Sequence, residues 1–170
     1  MVEVRATLRA LTGQGLALSE IMRVTNELLT PDLDHNFVTA FFAVLRPEAR
    51  ILQYGSAAQP ALLIQEDGTA HRLEAQTAPL GVHVGDSEIS EEITLCDGDV
   101  LVLYTDGLVE RVNPHNGLFG LNRMVEILQQ HRHQTAEEIV ECVLLAVRNF
   151  ADGAPQSDDE TLVIIKVGSN

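Results

Sequence analysis

Three features of this sequence predict an α+β fold, with helices packed on the faces of antiparallel sheets. Apolar residues recur at helical spacing toward both ends of the chain. Between them lie short runs rich in β-formers, joined by turn residues such as Glu66-Asp67-Gly68-Thr69. The third feature is the stretch Asp97-Gly98-Asp99-Val100-Leu101-Val102-Leu103-Tyr104-Thr105-Asp106-Gly107. A turn there leads into an unbroken apolar run, which reads as a strand buried on both faces and stops abruptly at a carboxylate and a glycine.

Taken in order, Val2 to Thr12 has helical spacing without an opening cap, and Gly13-Gln14-Gly15 breaks it. That break lacks the preceding strand and third glycine of a dinucleotide loop. Leu18 to Leu29 predicts an amphipathic helix with Ile21, Val24 and Leu28 on one face, and Pro31 lies beyond its end. Phe37 to Leu45 changes to a strand, Arg46-Pro47-Glu48-Ala49 turns, and Arg50 to Gly55 returns as its partner. Ala61 to Gln65 and His71 to Glu74 flank the Asp-Gly hairpin, and Ala78-Pro79-Leu80-Gly81 makes a kinked connection. Ile89 to Leu95 and Val100 to Thr105 are expected to pair with each other around Cys96-Asp97-Gly98-Asp99.

Two helices follow. Leu118 to Gln130 carries Leu121, Met124, Val125 and Leu128 on one face, and Ala136 to Phe150 opens with a capping box from Thr135 and Glu138. Gly153-Ala154-Pro155 ends that region and Leu162 to Val167 reads as a closing strand. No repeat or low-complexity segment interrupts the pattern, so residues 1–170 are expected to form a single domain.

Hydrophobic residues make up 45% of the 170 and aromatic ones only 4%, so the core is built from aliphatic side chains. The formal charge of −14, from 25 acids against 11 bases, repels nucleic acid and anionic membrane and favours cations. Cys96 and Cys142 lie far apart in apolar contexts, which predicts two buried, reduced thiols in a cytoplasmic protein. No apolar run is long enough for membrane insertion, and the first residues lack the apolar region of a signal peptide.

The chemistry rests on two acidic tips. Asp106 ends one predicted core strand, and Asp158, within Gln156-Ser157-Asp158-Asp159-Glu160-Thr161, precedes another. If those strands are antiparallel neighbours, the end of one lies beside the start of the other and both carboxylates meet at one rim. Converging carboxylates repel unless a cation lies between them, and oxygen-only ligands suit Mg²⁺ or Mn²⁺. Asp159 is placed to support that site. Competing signals are weaker: there is no Gly-x-Ser-x-Gly elbow and no Walker loop. His131-Arg132-His133 is a poor zinc site, and Ser56 lacks a histidine partner in the pattern.

On these residues the chain resembles the bacterial metal-dependent serine phosphatases of the sporulation stage II E type, relatives of protein phosphatase 2C. The matching stretches are residues 37–45, Ala78-Pro79-Leu80-Gly81-Val82, residues 99–110, Asn113-Pro114 with Phe119-Gly120, and residues 153–162. The resemblance implies a four-layer α-β-β-α sandwich of two antiparallel sheets flanked by helices. It also implies hydrolysis of phosphoserine or phosphothreonine on a phosphoprotein substrate, such as an anti-sigma-factor antagonist, with two Mn²⁺ or Mg²⁺ ions. By the same resemblance Asp106 and Asp158 are ligands of one ion, Gly107 lets the backbone turn tightly there, and Asp159 supports the site.

Two departures from that family pattern shape the expectations. Its upstream Gly-Gly-Asp and Asp-x-x-Gly-His-Gly motifs have no counterpart, so the domain is expected to be incomplete at its N-terminus. Ser56 and Gln59, in Tyr54-Gly55-Ser56-Ala57-Ala58-Gln59-Pro60, replace the usual Asn-Ala-Gly-His near the substrate pocket. Little or no phosphatase activity is expected of the chain on this basis, together with weak metal binding. Exposed sheet edges predict a homo-oligomer. The alternative is a catalytically inactive, phosphatase-like protein-interaction module.

Overall fold

The computed structural model describes residues 8–9, 11–12, 15–32, 36–82 and 92–168. The predicted helix from Val2 to Thr12 and the Ile89 start of the fifth strand fall largely outside the described residues. The chain forms two compact units, Met1–Pro60 with Glu74–Leu95, and Ala61–Leu73 with Cys96–Asn170.

The first unit contains α1 (Leu18–Leu29), β1 (Ala40–Arg46), β2 (Ile51–Ala57) and β5 (Ile93–Thr94), with its sheet in the order β1-β2-β5, all antiparallel. The α1 boundaries are those the periodicity predicts, but the buried face is not. Leu18, Ile21, Met22, Thr25, Asn26 and Leu29 are buried, while Leu28 is 52% exposed. The seam runs through two polar residues whose side chains are satisfied locally. Thr25 Oγ1 donates to the Ile21 carbonyl at 2.6 Å, and Asn26 Oδ1 accepts from the Gly81 amide at 2.8 Å. Satisfied in this way, they can be buried at small cost.

The strand expected from Phe37 begins only at Ala40, and Phe37 is 62% exposed. The β1–β2 register ends at Ala40↔Ala57, after which Ala58 adopts a positive φ of 54° and turns the chain away. Val38 instead forms an isolated bridge with Leu80, through reciprocal bonds of 3.0 and 2.9 Å.

The second unit holds β3 (Ala61–Ile64), β4 (Ala70–Leu73), β6 (Val100–Tyr104) and β7 (Leu162–Lys166) in the order β4-β3-β6-β7, antiparallel throughout. The Glu66–Thr69 turn joins β3 and β4 as predicted. The Thr69 amide donates to Asp67 Oδ1 at 2.7 Å, and this bond holds the Asp67 carboxyl below the usual carboxylate range. The unit also contains the short α2 (Asp106–Val109), with α3 (Leu121–His131) and α4 (Ala136–Ala151). Its core is aliphatic: Leu62, Ile64, Val100 and Val102 from the strands meet Leu108, Met124, Leu128, Ile139, Val143 and Val147, with Phe119 beside them.

Two expectations fail here. The strands on either side of Asp97-Gly98 do not pair with each other: β5 pairs with β2, and β6 with β3 and β7. The cause is Asp99, a carboxylate only 1% exposed, which accepts from the Glu66 amide at 2.9 Å and the Cys96 amide at 2.8 Å. Gly98 and Asp99 also exchange backbone bonds with Val167, the residue just past the end of β7. The cysteines are not buried either. Cys96 lies exposed in that turn, and Cys142 is half-buried with Sγ 3.6 Å from His131 Nδ1.

The capping box is present in both directions, Glu138 N to Thr135 Oγ1 at 3.2 Å and Thr135 N to Glu138 Oε2 at 2.9 Å. Thr135→Ala removes one of these caps and is expected to cost about 1 kcal/mol, read as a lower denaturant midpoint with unchanged slope.

Candidate metal site

The site is built at the end of β6. Strands β6 and β7 are antiparallel neighbours, and the register closes at Tyr104↔Leu162. Asp106 follows that last pair by two residues, and Asp158 precedes it by four. The pairing continues past the strands, because the Thr105 amide donates to the Thr161 carbonyl at 3.1 Å. Thr105 is extended (φ −93°, ψ 157°), and the chain then coils into the single turn of α2, which Asp106 begins.

Gly107 shows how close the two tips lie. A Cβ on Gly107 would stand 2.4 Å from the Asp159 carbonyl oxygen, 3.0 Å from its carbon and 3.4 Å from the Asp158 carbonyl carbon. The backbone of residues 158–159 therefore runs directly over Gly107, where only glycine leaves room. Both tips thus occupy one rim of the second unit's sheet, the arrangement that the antiparallel argument predicts.

The two acids are exposed. Asp106 Oδ1 accepts from the Gly107 amide at 3.1 Å, and Asp158 Oδ1 accepts from the Asp159 amide at 2.7 Å. These local bonds orient each carboxylate while leaving its second oxygen without a partner among the described residues. The donor set is hard and anionic, which fits Mn²⁺ or Mg²⁺ in kind. In number it is small: no group of three His, Cys, Asp or Glu that could hold an ion occurs among the described residues.

Asp159 is exposed too, and its carbonyl is the tie to the strand end, accepting from Thr105 Oγ1 at 2.8 Å. The same hydroxyl accepts from the Thr161 amide at 2.9 Å, so Thr105 bridges both sides of the rim. Thr105 has no place among the residues expected from the sequence. The signal was a hydroxyl just past an apolar strand, next to the acid it serves. Arg111 was also missed: its Nη2 donates to the Ala154 carbonyl at 2.6 Å, at the start of the segment that bears Asp158.

Ser56 and Gln59 belong to the first unit. Ser56 is fully buried, and its hydroxyl donates to the Gln59 carbonyl at 2.6 Å and accepts from the Gln59 amide at 3.2 Å. Gln59 Oε1 accepts from Thr39 Oγ1 at 3.0 Å. The Ser56 hydroxyl thus closes the turn that follows β2.

Residues 1–168 match the sequence model of the family described as stage II sporulation protein E (SpoIIE). The chain belongs to the SpoIIE family. It is 25% identical over 172 residues to the phosphoserine phosphatase RsbU of Bacillus subtilis, covering 98% of this chain and 50% of RsbU. The SpoIIE-type chain spans about a quarter to a half of the curated relatives it matches. Among solved structures, the RsbU and RsbW domains of Rv1364c from Mycobacterium tuberculosis match with a TM-score of 0.83 at 20% identity, over 99% of this chain and 48% of that one. The PP2C phosphatase domain of SpoIIE from Bacillus subtilis, with a regulatory fragment, matches at 0.81 and 18% identity, over 99% and 50%. The catalytic domain of the serine/threonine phosphatase PstP, in complex with two manganese ions, matches at 0.67 and 18%, over 98% and 79%. At these identities the likeness establishes the fold: this SpoIIE-type chain has the α+β architecture of PP2C phosphatase domains. No helix among the described residues is long and apolar enough to cross a membrane.

Proposed function

We propose that this chain is a metal-dependent protein serine/threonine phosphatase domain that removes phosphate from phosphoserine of a regulatory protein, such as an anti-sigma-factor antagonist. The observation that carries this reading is the close approach of the two backbone segments that bear Asp106 and Asp158, with Gly107 passing beneath the Asp158-Asp159 backbone at the end of β6. Membership of the SpoIIE family, and the similarity to the phosphoserine phosphatase RsbU, support it.

In this reading Asp106 and Asp158 hold the Mn²⁺ or Mg²⁺. A bound divalent ion supplies charge neutralisation for the phosphoryl oxygens and acidifies a water molecule. The chain's own contribution is orientation. Amides at Gly107 and Asp159 fix the two carboxylates, and Thr105 locks the strand end to the segment carrying Asp158. Two carboxylates are few for an ion that takes six or more oxygen ligands and dehydrates reluctantly. Weak Mn²⁺ binding and slow turnover follow for the chain by itself.

A second reading, a phosphatase-like interaction module without turnover, is favoured by one observation: no three His, Cys, Asp or Glu side chains among the described residues are grouped so as to hold an ion. Hydrolysis of p-nitrophenyl phosphate and of a phosphoserine peptide, titrated with Mn²⁺, separates the two. The phosphatase reading expects slow hydrolysis that rises with Mn²⁺ and stops on chelation. Turnover indifferent to chelator overturns it, and no turnover at any Mn²⁺ concentration favours the module.

A further inference from the structure

The segment that bears Asp158 has no secondary structure of its own. Residues 155–159 are exposed, and the chain between α4 and β7 is held at few points. One side chain grips it at both ends. Arg111, whose side chain is only 12% exposed, donates from Nη2 to the Ala154 carbonyl at 2.6 Å and places Nη1 3.5 Å from Glu160 Oε1. Ala154 opens the segment and Glu160 closes it.

Arg111 itself is fixed. It follows the α2 cap residue Glu110, its carbonyl accepts from the Phe119 amide at 2.8 Å, and Val112 bridges Leu118. It lies five positions after Asp106, so one short stretch of chain supplies both an acid at the rim and the grip on the loop bearing its counterpart.

Stability alone does not account for this residue. Nε and Nη1 are buried and make no hydrogen bond among the described residues, Nη1 having the 3.5 Å ion pair to Glu160 in its place, and burying charged donors with so little pairing is costly. A buried ion pair of imperfect geometry is often worth no more than an apolar side chain of the same volume. What a guanidinium offers that an apolar chain does not is a rigid fork able to hold two points at a set separation.

We infer that Arg111 is a positioning residue, a clamp across the base of the 154–160 loop that holds Asp158 in register with Asp106. The inference deepens the phosphatase reading and rests on it for its consequence, metal affinity. Its structural half, the restraint of the loop, stands separately.

The test uses the full chain with Arg111→Met, Arg111→Lys and Glu160→Gln, measuring Mn²⁺ binding by calorimetry and amide hydrogen exchange across residues 154–161. Arg111→Met is expected to weaken Mn²⁺ binding by roughly 10-fold or more, the usual effect of losing a group that orients a ligand. It should also speed exchange in the loop while leaving the core strands protected. Arg111→Lys, which can meet one partner but not both, should recover part of each effect. Glu160→Gln keeps the Ala154 bond and is expected to show a smaller loss of Mn²⁺ affinity than Arg111→Met together with faster loop exchange, which provides a reading should Arg111→Met fail to fold. Mn²⁺ affinity within twofold of the parent, with unchanged loop exchange, overturns the clamp. Asp106→Asn serves as the control: if it leaves Mn²⁺ binding unchanged the metal reading fails, and the exchange data still decide whether Arg111 restrains the loop.

Discussion

Asp158→Asn is expected to lower Mn²⁺ affinity by roughly 100-fold or more, and Asp106→Asn to do the same. Outer-shell partners of metal ligands typically cost 10–100-fold when removed, and a ligand lost from a site with two carboxylates cannot cost less than that range. Charge acts in the same direction, because an amide offers a hard cation a neutral oxygen in place of an anionic one. Each substitution is nearly isosteric, both side chains are exposed, and each carboxylate accepts from a neighbouring backbone amide, a bond that a side-chain amide oxygen can also accept. The fold should therefore survive, with a melting temperature close to the parent's. Loss of Mn²⁺-stimulated hydrolysis, where the parent shows it, should accompany the loss of binding. A variant that binds Mn²⁺ like the parent would remove that acid from the site.

Gly107→Ala has the second-largest expected effect, and it acts through packing. The added methyl would meet backbone at 2.4 and 3.0 Å, atoms that cannot swing aside as a flexible side chain does. Either the α2 turn or the Asp158-Asp159 backbone must move by the better part of an ångström. Overpacking of this kind costs about 1–3 kcal/mol. In a chain of this length that is a fall in melting temperature of roughly 2–12 °C. Displacing the loop also separates the two carboxylates, so Mn²⁺ binding should fall with it. A Gly107→Ala protein with parental stability and parental Mn²⁺ affinity would show that the two tips are not in close contact.

The part of this site that the sequence displayed was its strand chemistry. An unbroken apolar run ending in Asp106 and another starting after Asp158 require a buried sheet, and antiparallel neighbours put opposite strand ends together. Gly107 was expected, from the family resemblance, to permit a tight turn; the structure shows instead that its missing side chain leaves room for the Asp158-Asp159 backbone. The α1, α3 and α4 helices followed from a 3.6-residue period with turn and cap residues at their ends.

What the pattern concealed was any contact that depends on a distant backbone atom. Asp97-Gly98 has the composition of a hairpin turn, yet the buried Asp99 carboxylate binds the Glu66 amide and sends the chain into the other sheet. Thr25 and Asn26 look like the solvent side of α1, and they are buried because the Ile21 carbonyl and the Gly81 amide satisfy them. Thr105 and Arg111 carry no periodicity at all. Their roles arise from carbonyls at Asp159 and Ala154, more than forty residues away along the chain.

The central claim is that Asp106 and Asp158 hold the same ion, and a double-mutant cycle on Mn²⁺ affinity tests it most directly. Calorimetric titration of the parent, Asp106→Asn, Asp158→Asn and the double variant should give two singles that each lose nearly all specific binding and a double that loses hardly more. Two losses that simply add, or a single variant that keeps parental affinity, would place the acids at separate sites and contradict the account.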